Sequence, residues 1–147
     1  MSSVTYLLAI ILAAYCVDYA VPCSCLLASL QMSYCSTSPE QFIYRGIPTE
    51  RKLINGNPDA PWDEKFSYDV QVVEVFKKPD GSQVSAGSVI QLTTNAVDAA
   101  CGGYLDLRVD TLITGYGNWF SLCDYKAVFS SLTEHEVQGL KGGYICN

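Results

Sequence analysis

Six cysteines of this chain fall into two groups that are far apart in the sequence, and this arrangement limits the folds open to it. Three lie near the beginning of the chain and three in its last third: Cys23, Cys25, Cys35, Cys101, Cys123 and Cys146. An even set of cysteines in a small secreted domain is typical of structural disulfides. Bridges within the first group would be cramped, so we expect long-range pairing and three disulfides. Spacing alone leaves every connectivity of the six open.

An apolar stretch precedes these cysteines. Residues 6–17 read YLLAIILAAYCV, which is about the length of a signal-peptide core and shorter than the ~20 apolar residues that span a bilayer. We therefore predict that residues 1–22 are a signal peptide and that residues 23–147 form the mature domain, secreted to the extracellular space with no membrane partner. The seventh cysteine, Cys16, is discarded with the signal.

Charge and length exclude several classes of protein. The chain has 147 residues, enough for one ordinary domain and too few for two separate cores. Its 15 acidic and 9 basic residues give a formal net charge of −6, and no basic run is present. Because binding to nucleic acid relies on Lys and Arg to neutralise phosphates, we expect no nucleic-acid partner.

The apolar pattern predicts a mainly β domain. Five strands are predicted, at residues 42–44, 66–76, 89–94, 104–112 and 118–123. A short helix is predicted around residues 27–34, and a second one near the end, where Ser131 and Glu134 fit a capping box. The polar residues 49–65 are predicted to form a long exposed loop. Five strands with one or two short helices favour a small barrel.

A search for catalytic groups finds little. His135 is the single histidine and lies in the polar part of the predicted terminal helix, so we expect it to be solvated. A zinc motif with several histidines and a Gly-x-Ser-x-Gly nucleophile elbow are absent from the sequence. Six paired cysteines leave no thiol for a Cys–His pair. We therefore predict that the protein is not an enzyme and has no cofactor of its own.

The Cys23-Ser24-Cys25 sequence stands at the predicted mature N-terminus. Two neighbouring halves of structural disulfides are the simplest interpretation. A second interpretation comes from the α-amino group, whose pKa of ~7.7–8.0 leaves a neutral amine available as a metal ligand. The carbonyl oxygen of the same residue would complete a five-membered chelate. Held by bridges at Cys23 and Cys25, this pair fits the water position of a catalytic zinc in another protein.

Further motifs accompany the Cys-x-Cys start: Tyr34-Cys35, Ala100-Cys101-Gly102, residues 110–115 (DTLITG), Leu122-Cys123-Asp124-Tyr125, and Ser131 through Cys146. With the cysteine intervals, these motifs make residues 23–147 similar to the inhibitory domain of the tissue inhibitors of metalloproteinases. The resemblance implies a netrin-like module with a closed five-stranded β-barrel of the oligonucleotide/oligosaccharide-binding type. It also implies nested disulfides, which are Cys23–Cys101, Cys25–Cys123 and Cys35–Cys146.

The resemblance further implies a function and a set of contacts. A secreted inhibitor is expected, acting as a monomer on zinc metalloproteinases of the metzincin type in the extracellular matrix, with the zinc supplied by the bound protease. Cys23 would chelate that zinc through its amine and carbonyl, and Ser24 would enter the main specificity pocket. The remaining protease contacts implied are Cys25 and Leu26 along the cleft, and Ser36, Asp98 and Ala99 beside it.

Two departures from the family bear on this expectation. Vertebrate members carry a second, smaller domain after the segment that ends here at Cys146, so we expect a single-domain form. Pro22 stands just before the predicted cut and is unfavourable there, so cleavage after Cys16 or Ala20 is the alternative. Such a cut would convert the amine of Cys23 into an amide that does not chelate zinc. The alternative function is a non-inhibitory, secreted netrin-like module that binds another protein.

Overall fold

A computed structural model describes residues 23, 25, 28–54, 64–96 and 101–146. The predicted signal peptide, residues 1–22, lies outside the described residues. The helices and strands, in chain order, are α1 (Leu30–Cys35), β1 (Gln41–Ile54), β2 (Lys65–Lys77), β3 (Val89–Asn95), β4 (Thr111–Tyr116), β5 (Lys126–Val128) and α2 (Glu134–Gln138). In the part of the chain that the structure describes, no helix combines the length and apolarity needed to cross a bilayer.

The five strands form one antiparallel sheet in the order β3-β2-β1-β4-β5. Its edges are β3 and β5, so the predicted closed barrel is not confirmed and the sheet is open. The strand β5 has only three residues. Among the described residues, a single parallel bridge joins the two edges of the sheet. It links Thr93 of β3 to Trp119 of the β4–β5 connection. Pairing of such short extent does not extend the ladder around the sheet.

Alternating residues of the central strands supply two separate cores. Phe42 and Tyr44 of β1 point to one face of the sheet, and Ile43 points to the other. The inner core consists of Phe42, Tyr44, Tyr68, Val70, Leu92, Leu105, Ile113 and Phe120. The outer core lies on the other face, around Leu30 of α1, Ile43, Leu112, and Leu140 of the helical segment Gly139–Gly143 that follows α2. The prediction of a mainly β domain with short helices is thus confirmed.

Three of the five strand predictions are confirmed, since residues 42–44 lie within β1, and the two at residues 104–112 and 118–123 are wrong. The strands β2 and β3 match the predicted residues 66–76 and 89–94. Residues 104–110 are not a strand, because Arg108 has a φ of 64°, which interrupts any extended run. Residues 118–123, predicted as a strand, make isolated bridges at Trp119 and Ser121.

The predicted exposed loop at residues 49–65 is wrong over its first part. Strand β1 continues to Ile54 and pairs with β2 along this polar stretch. The residues are polar because both faces of the strand meet solvent there, and Lys52 forms ion pairs with Glu50 and Asp69 at 3.0 and 3.2 Å. The loop prediction for residues 55–63 lies outside the described residues.

The predicted short helices are present, with a correction at the second cap. Helix α1 confirms the helix expected around residues 27–34. Helix α2 is capped by Thr133 and Glu136, not by Ser131 and Glu134. The same Ser/Thr-x-x-Glu spacing occurs twice in this segment, and Ser131 instead donates to the Val128 carbonyl at 2.7 Å.

Candidate functional site

Three disulfides tie the beginning of the described chain to distant segments. They are Cys23–Cys101, Cys25–Cys123 and Cys35–Cys146, with Cα–Cα distances of 5.6, 5.2 and 5.3 Å. This is the pairing that the family resemblance implies. The bonds join residues 78, 98 and 111 positions apart. In the loop-closure model each removes roughly 4–5 kcal/mol of unfolded-chain entropy, although the three do not simply add.

The partners of Cys23 and Cys25 lie on adjacent backbone segments. Gly102 and Ser121 form an antiparallel bridge, and the Leu122 N–H donates to the Cys101 carbonyl at 2.9 Å. We call these two segments, residues 101–103 and 121–124, the cysteine platform. Because Cys101 and Cys123 are held side by side, the disulfides to Cys23 and Cys25 attach one short stretch of chain at two neighbouring points.

Close packing against the inner core fixes one side of the cysteine platform. The Gly103 N–H donates to the Thr94 hydroxyl of β3 at 2.6 Å, and this bond is buried. A Cβ on Gly103 would lie 2.6 Å from the ring of Phe120, which is fully buried. Only a glycine therefore lets this backbone approach the core so closely.

Polar side chains fix the other side, the turn at residues 121–124. The Asp124 carboxylate accepts from the Ser121 N–H at 2.7 Å and from its hydroxyl at 2.8 Å. The Ser121 hydroxyl oxygen in turn accepts from the Cys123 N–H at 3.2 Å. The Lys126 ammonium donates to the carbonyls of Ser121 and Asp124, at 2.5 and 3.0 Å. Partial burial lowers the pKa of Lys126 below its usual value.

A surface pocket lies beside this turn. Its volume is about 390 Å³, and its lining residues are Ala28, Leu122, Cys123, Asp124, Tyr125 and Lys126. Ala28, three positions after Cys25 in the sequence, is thus placed beside this turn. Leu122 projects from the rim with 51% of its surface exposed.

The structure brings together some of the predicted contact residues. Cys23 and Cys25 both attach to the cysteine platform. Ser36 lies after Cys35, half-buried, and its described contacts are with Lys77, whose ammonium donates to its carbonyl, and with Ser38. The roles predicted for Ser24, Leu26, Asp98 and Ala99 lie outside the described residues.

Sequence reasoning missed the residues that brace the turn. Ser and Asp are residue types that favour turns, which is the one local signal that pointed to Ser121 and Asp124. Lys126 carries no such signal, because its acceptors are backbone carbonyls that every residue type possesses.

The described residues of this site form a rigid backbone edge and include few reactive side chains. All six cysteines that the structure describes are in disulfides. In the same ranges, no cluster of three or more His, Cys, Asp or Glu is arranged to hold a metal ion. His135 is exposed on α2, as expected, with its ring 5.9 Å from that of Tyr144. A fixed backbone edge of this kind is suited to binding another protein.

A comparison with known protein families matches residues 21–147 to the family described as "Tissue inhibitor of metalloproteinase". The matched range contains the six paired cysteines and the cysteine platform. A comparison with curated proteins returns no match.

Proposed function

The chain belongs to the tissue inhibitor of metalloproteinase family, and we propose that it inhibits zinc metalloendopeptidases through direct contact of Cys23 with their catalytic zinc. The family membership itself implies a metalloproteinase inhibitor. One observation carries the finer proposal: Cys23 and Cys25 are both bonded to the cysteine platform, whose two segments are hydrogen-bonded to each other. A chain end held at two neighbouring points loses little conformational entropy when it docks.

The disulfide excludes one atom of Cys23, its sulfur, as a thiolate ligand of a metal. Its sulfur is bonded to Cys101, so it is not a thiolate and cannot ligate zinc as one. The remaining donors of the residue are its backbone nitrogen and carbonyl oxygen. When Cys23 is the first residue, the nitrogen is an amine with a pKa of ~7.7–8.0, and its neutral form is a zinc ligand. Together the two atoms would form a five-membered chelate and displace the zinc-bound water that attacks substrate.

The neighbouring residues then extend the contact. We assign Ser24 to the main specificity pocket of the protease, and Cys25 and Leu26 to the cleft beyond it. Asp98 and Ala99 precede Cys101 of the cysteine platform, and Ser36 follows Cys35. We assign these three to protease contacts on either side of residues 23–26. The zinc belongs to the bound protease, of the metzincin type, and the inhibitor acts as a secreted monomer whose signal is cut before Cys23.

The position of the cut is the first test. N-terminal sequencing of the secreted protein should give Cys23 as the first residue. A start at Val17 or Val21, without later trimming, would leave an amide at Cys23 and would favour the alternative, a netrin-like module that binds another extracellular protein without inhibiting a protease.

Inhibition assays test the chelation itself. We expect the protein that begins at Cys23 to inhibit the catalytic domain of a zinc metalloendopeptidase and to leave a serine protease unaffected. The matched control carries one additional alanine before Cys23, which converts the amine to an amide while leaving the six cysteines in place. We expect this variant to keep its thermal stability and lose inhibition by at least about a hundredfold. Equal potency of the two proteins would refute the chelation proposal.

A further inference from the structure

We propose that Lys126 is a positioning residue for the protease-binding edge, by which we mean Cys23 and Cys25 together with the cysteine platform, because its ammonium ties both ends of the turn that carries Cys123. The proposal rests on the inhibitory function proposed above and adds to it a residue outside the direct contacts. Lys126 Nζ lies 2.5 Å from the Ser121 carbonyl oxygen and 3.0 Å from the Asp124 carbonyl oxygen. These two carbonyls are the first and last of the turn at residues 121–124, so one cation holds them at a common point.

The position of Cys123 depends on this turn. The Cys123 N–H donates to the Ser121 hydroxyl, which itself donates to the Asp124 carboxylate at 2.8 Å. The side-chain hydrogen bonds described around Cys123 are therefore made by Ser121 and Asp124, the two residues that Lys126 holds. The position of Cys25 depends in turn on that of Cys123, because their disulfide holds the two Cα atoms 5.2 Å apart.

The turn also sets the relation between the two disulfides of the edge. Ser121 bridges to Gly102, and the Leu122 N–H donates to the Cys101 carbonyl. A displacement of the turn would therefore shift Cys101 relative to Cys123, and with them Cys23 relative to Cys25. Because the nitrogen and the carbonyl oxygen of Cys23 must both reach the zinc ion, binding tolerates little such displacement.

Lys126 is itself fixed to the rigid part of the sheet. It begins β5 and pairs with Ile113 of β4, which is fully buried. The preceding carbonyl, of Tyr125, accepts from both the N–H and the hydroxyl of Thr114 at 3.1 Å. The ammonium lies 5.8 Å from the centre of the buried Phe120 ring. The side chain thus connects the inner core to the turn.

Burying the charged ammonium of Lys126 costs free energy, so its place at this turn requires compensating contacts. Its side chain is half-buried, and burial disfavours its charged form. The compensation comes from the two carbonyls and from the nearby Asp124 carboxylate. Removing the ammonium would leave two carbonyls of the turn without this donor and would free them to rotate.

The test compares Lys126→Met with Lys126→Arg and with a control at a distant site. Lys126→Met keeps the length and apolar stem of the side chain and removes the donor. We expect its inhibition constant to rise at least about tenfold. Lys126→Arg restores a cationic donor, and we expect it to recover most of the potency. The control, Arg45→Met, breaks the ion pair of Arg45 with Asp110 on the outer-core side, so it should lower the melting temperature and leave the inhibition constant unchanged.

Hydrogen exchange of the uncomplexed protein separates this proposal from the inhibitory function. Exchange of the Cys123 and Leu122 amides should accelerate in Lys126→Met and not in Arg45→Met. Unchanged exchange and unchanged inhibition in Lys126→Met would overturn the positioning role. The role would also be overturned if Arg45→Met, at the same thermal stability as Lys126→Met, lost as much inhibitory potency. If the wild-type protein beginning at Cys23 does not inhibit, the proposed function fails, while the exchange rates still report on Lys126. If Lys126→Met does not fold, Lys126→Leu, which also lacks a donor, provides the same comparison.

Discussion

The cysteine platform and the outer core both pack on the sheet, yet different interactions hold them. The cysteine platform is fixed by two disulfides and by directional bonds, such as those from Lys126 and Asp124 to the turn at residues 121–124. The outer core is fixed by burial, since its four central residues are each at most 3% exposed. Burial stabilises without specifying direction, whereas a disulfide or a hydrogen bond fixes the geometry of the groups it joins.

This difference assigns the two regions different roles. We expect changes in the outer core to alter stability and leave binding to a protease unaffected. We expect changes in the cysteine platform to alter binding by more than their effect on stability. The third disulfide, Cys35–Cys146, belongs to the outer-core region, because Tyr34 and Tyr144 beside it pack against the outer core. The same change, removal of one disulfide, can therefore be made in both regions and its effects compared.

The largest effect is expected from removing one disulfide in each region. The double variants are Cys25→Ser with Cys123→Ser, and Cys35→Ser with Cys146→Ser. Both should lose roughly 2–5 kcal/mol in the free energy of unfolding, measured by denaturant titration. The first should lose inhibition by about a hundredfold or more, because it frees Cys25, and the second by much less, because it can displace only the side contact of Ser36. Similar losses of inhibition in both variants, assayed where each is still folded, would contradict the division into two regions.

A smaller effect is expected from a cavity in the outer core. Leu140 is 3% exposed and packs with Leu30, Ile43 and Leu112. Leu140→Ala should lower the free energy of unfolding by about 2–4 kcal/mol through lost burial and an unfilled cavity. The inhibition constant of the folded variant should stay within about twofold of wild type. A tenfold weaker inhibitor would show that the outer core sets the shape of the edge.

The smallest effect is a pH dependence in the outer-core region. The backbone N–H of Thr133, the Tyr125 hydroxyl and the Thr133 hydroxyl donate to the Glu136 carboxylate and hold its pKa below the usual 4.5. A lowered pKa means that the carboxylate stabilises the fold above the unfolded-state pKa, and that this contribution is lost as the pH falls through the folded-state pKa.

Glu136→Gln checks this linkage. The free energy of unfolding of wild type should exceed that of the variant by about 1 kcal/mol at neutral pH. The gap should narrow as the pH is lowered below 4.5. Urea titrations over this pH range measure it. A gap that is independent of pH would mean that the charge of Glu136 does not contribute.

The fold was predictable where one face of a strand is buried and the other is exposed. Strands β2 and β3 show that alternation, and their predicted bounds are confirmed. The second half of β1 was missed because solvent reaches both of its faces, so its apolar residues do not alternate with polar ones. Residues 104–112 show apolar alternation, yet Arg108 turns the chain with a positive φ that the residue type does not reveal. The open sheet also depends on pairing between distant segments, which local patterns do not encode.

The site was predictable only in part and for a similar reason. The C-x-C start and the cysteine intervals indicated the family, which the family match confirms. They gave no indication of Lys126, since its acceptors are backbone carbonyls brought near it by the β4–β5 register. Residues that touch a partner leave a motif in the sequence, whereas residues that hold those contacts in place need not.

The central claim is that Cys23 reaches the protease zinc through nitrogen and oxygen while its sulfur stays bonded to Cys101. X-ray absorption at the zinc edge, measured on the complex with a metalloproteinase catalytic domain, tests this directly. We predict a changed first shell of light atoms at about 2.0–2.2 Å with no sulfur contribution near 2.3 Å. The protein with one additional alanine before Cys23 should leave the protease spectrum unchanged. A saturated complex whose zinc spectrum equals that of the free protease, or one that shows a new zinc–sulfur distance, would contradict the account.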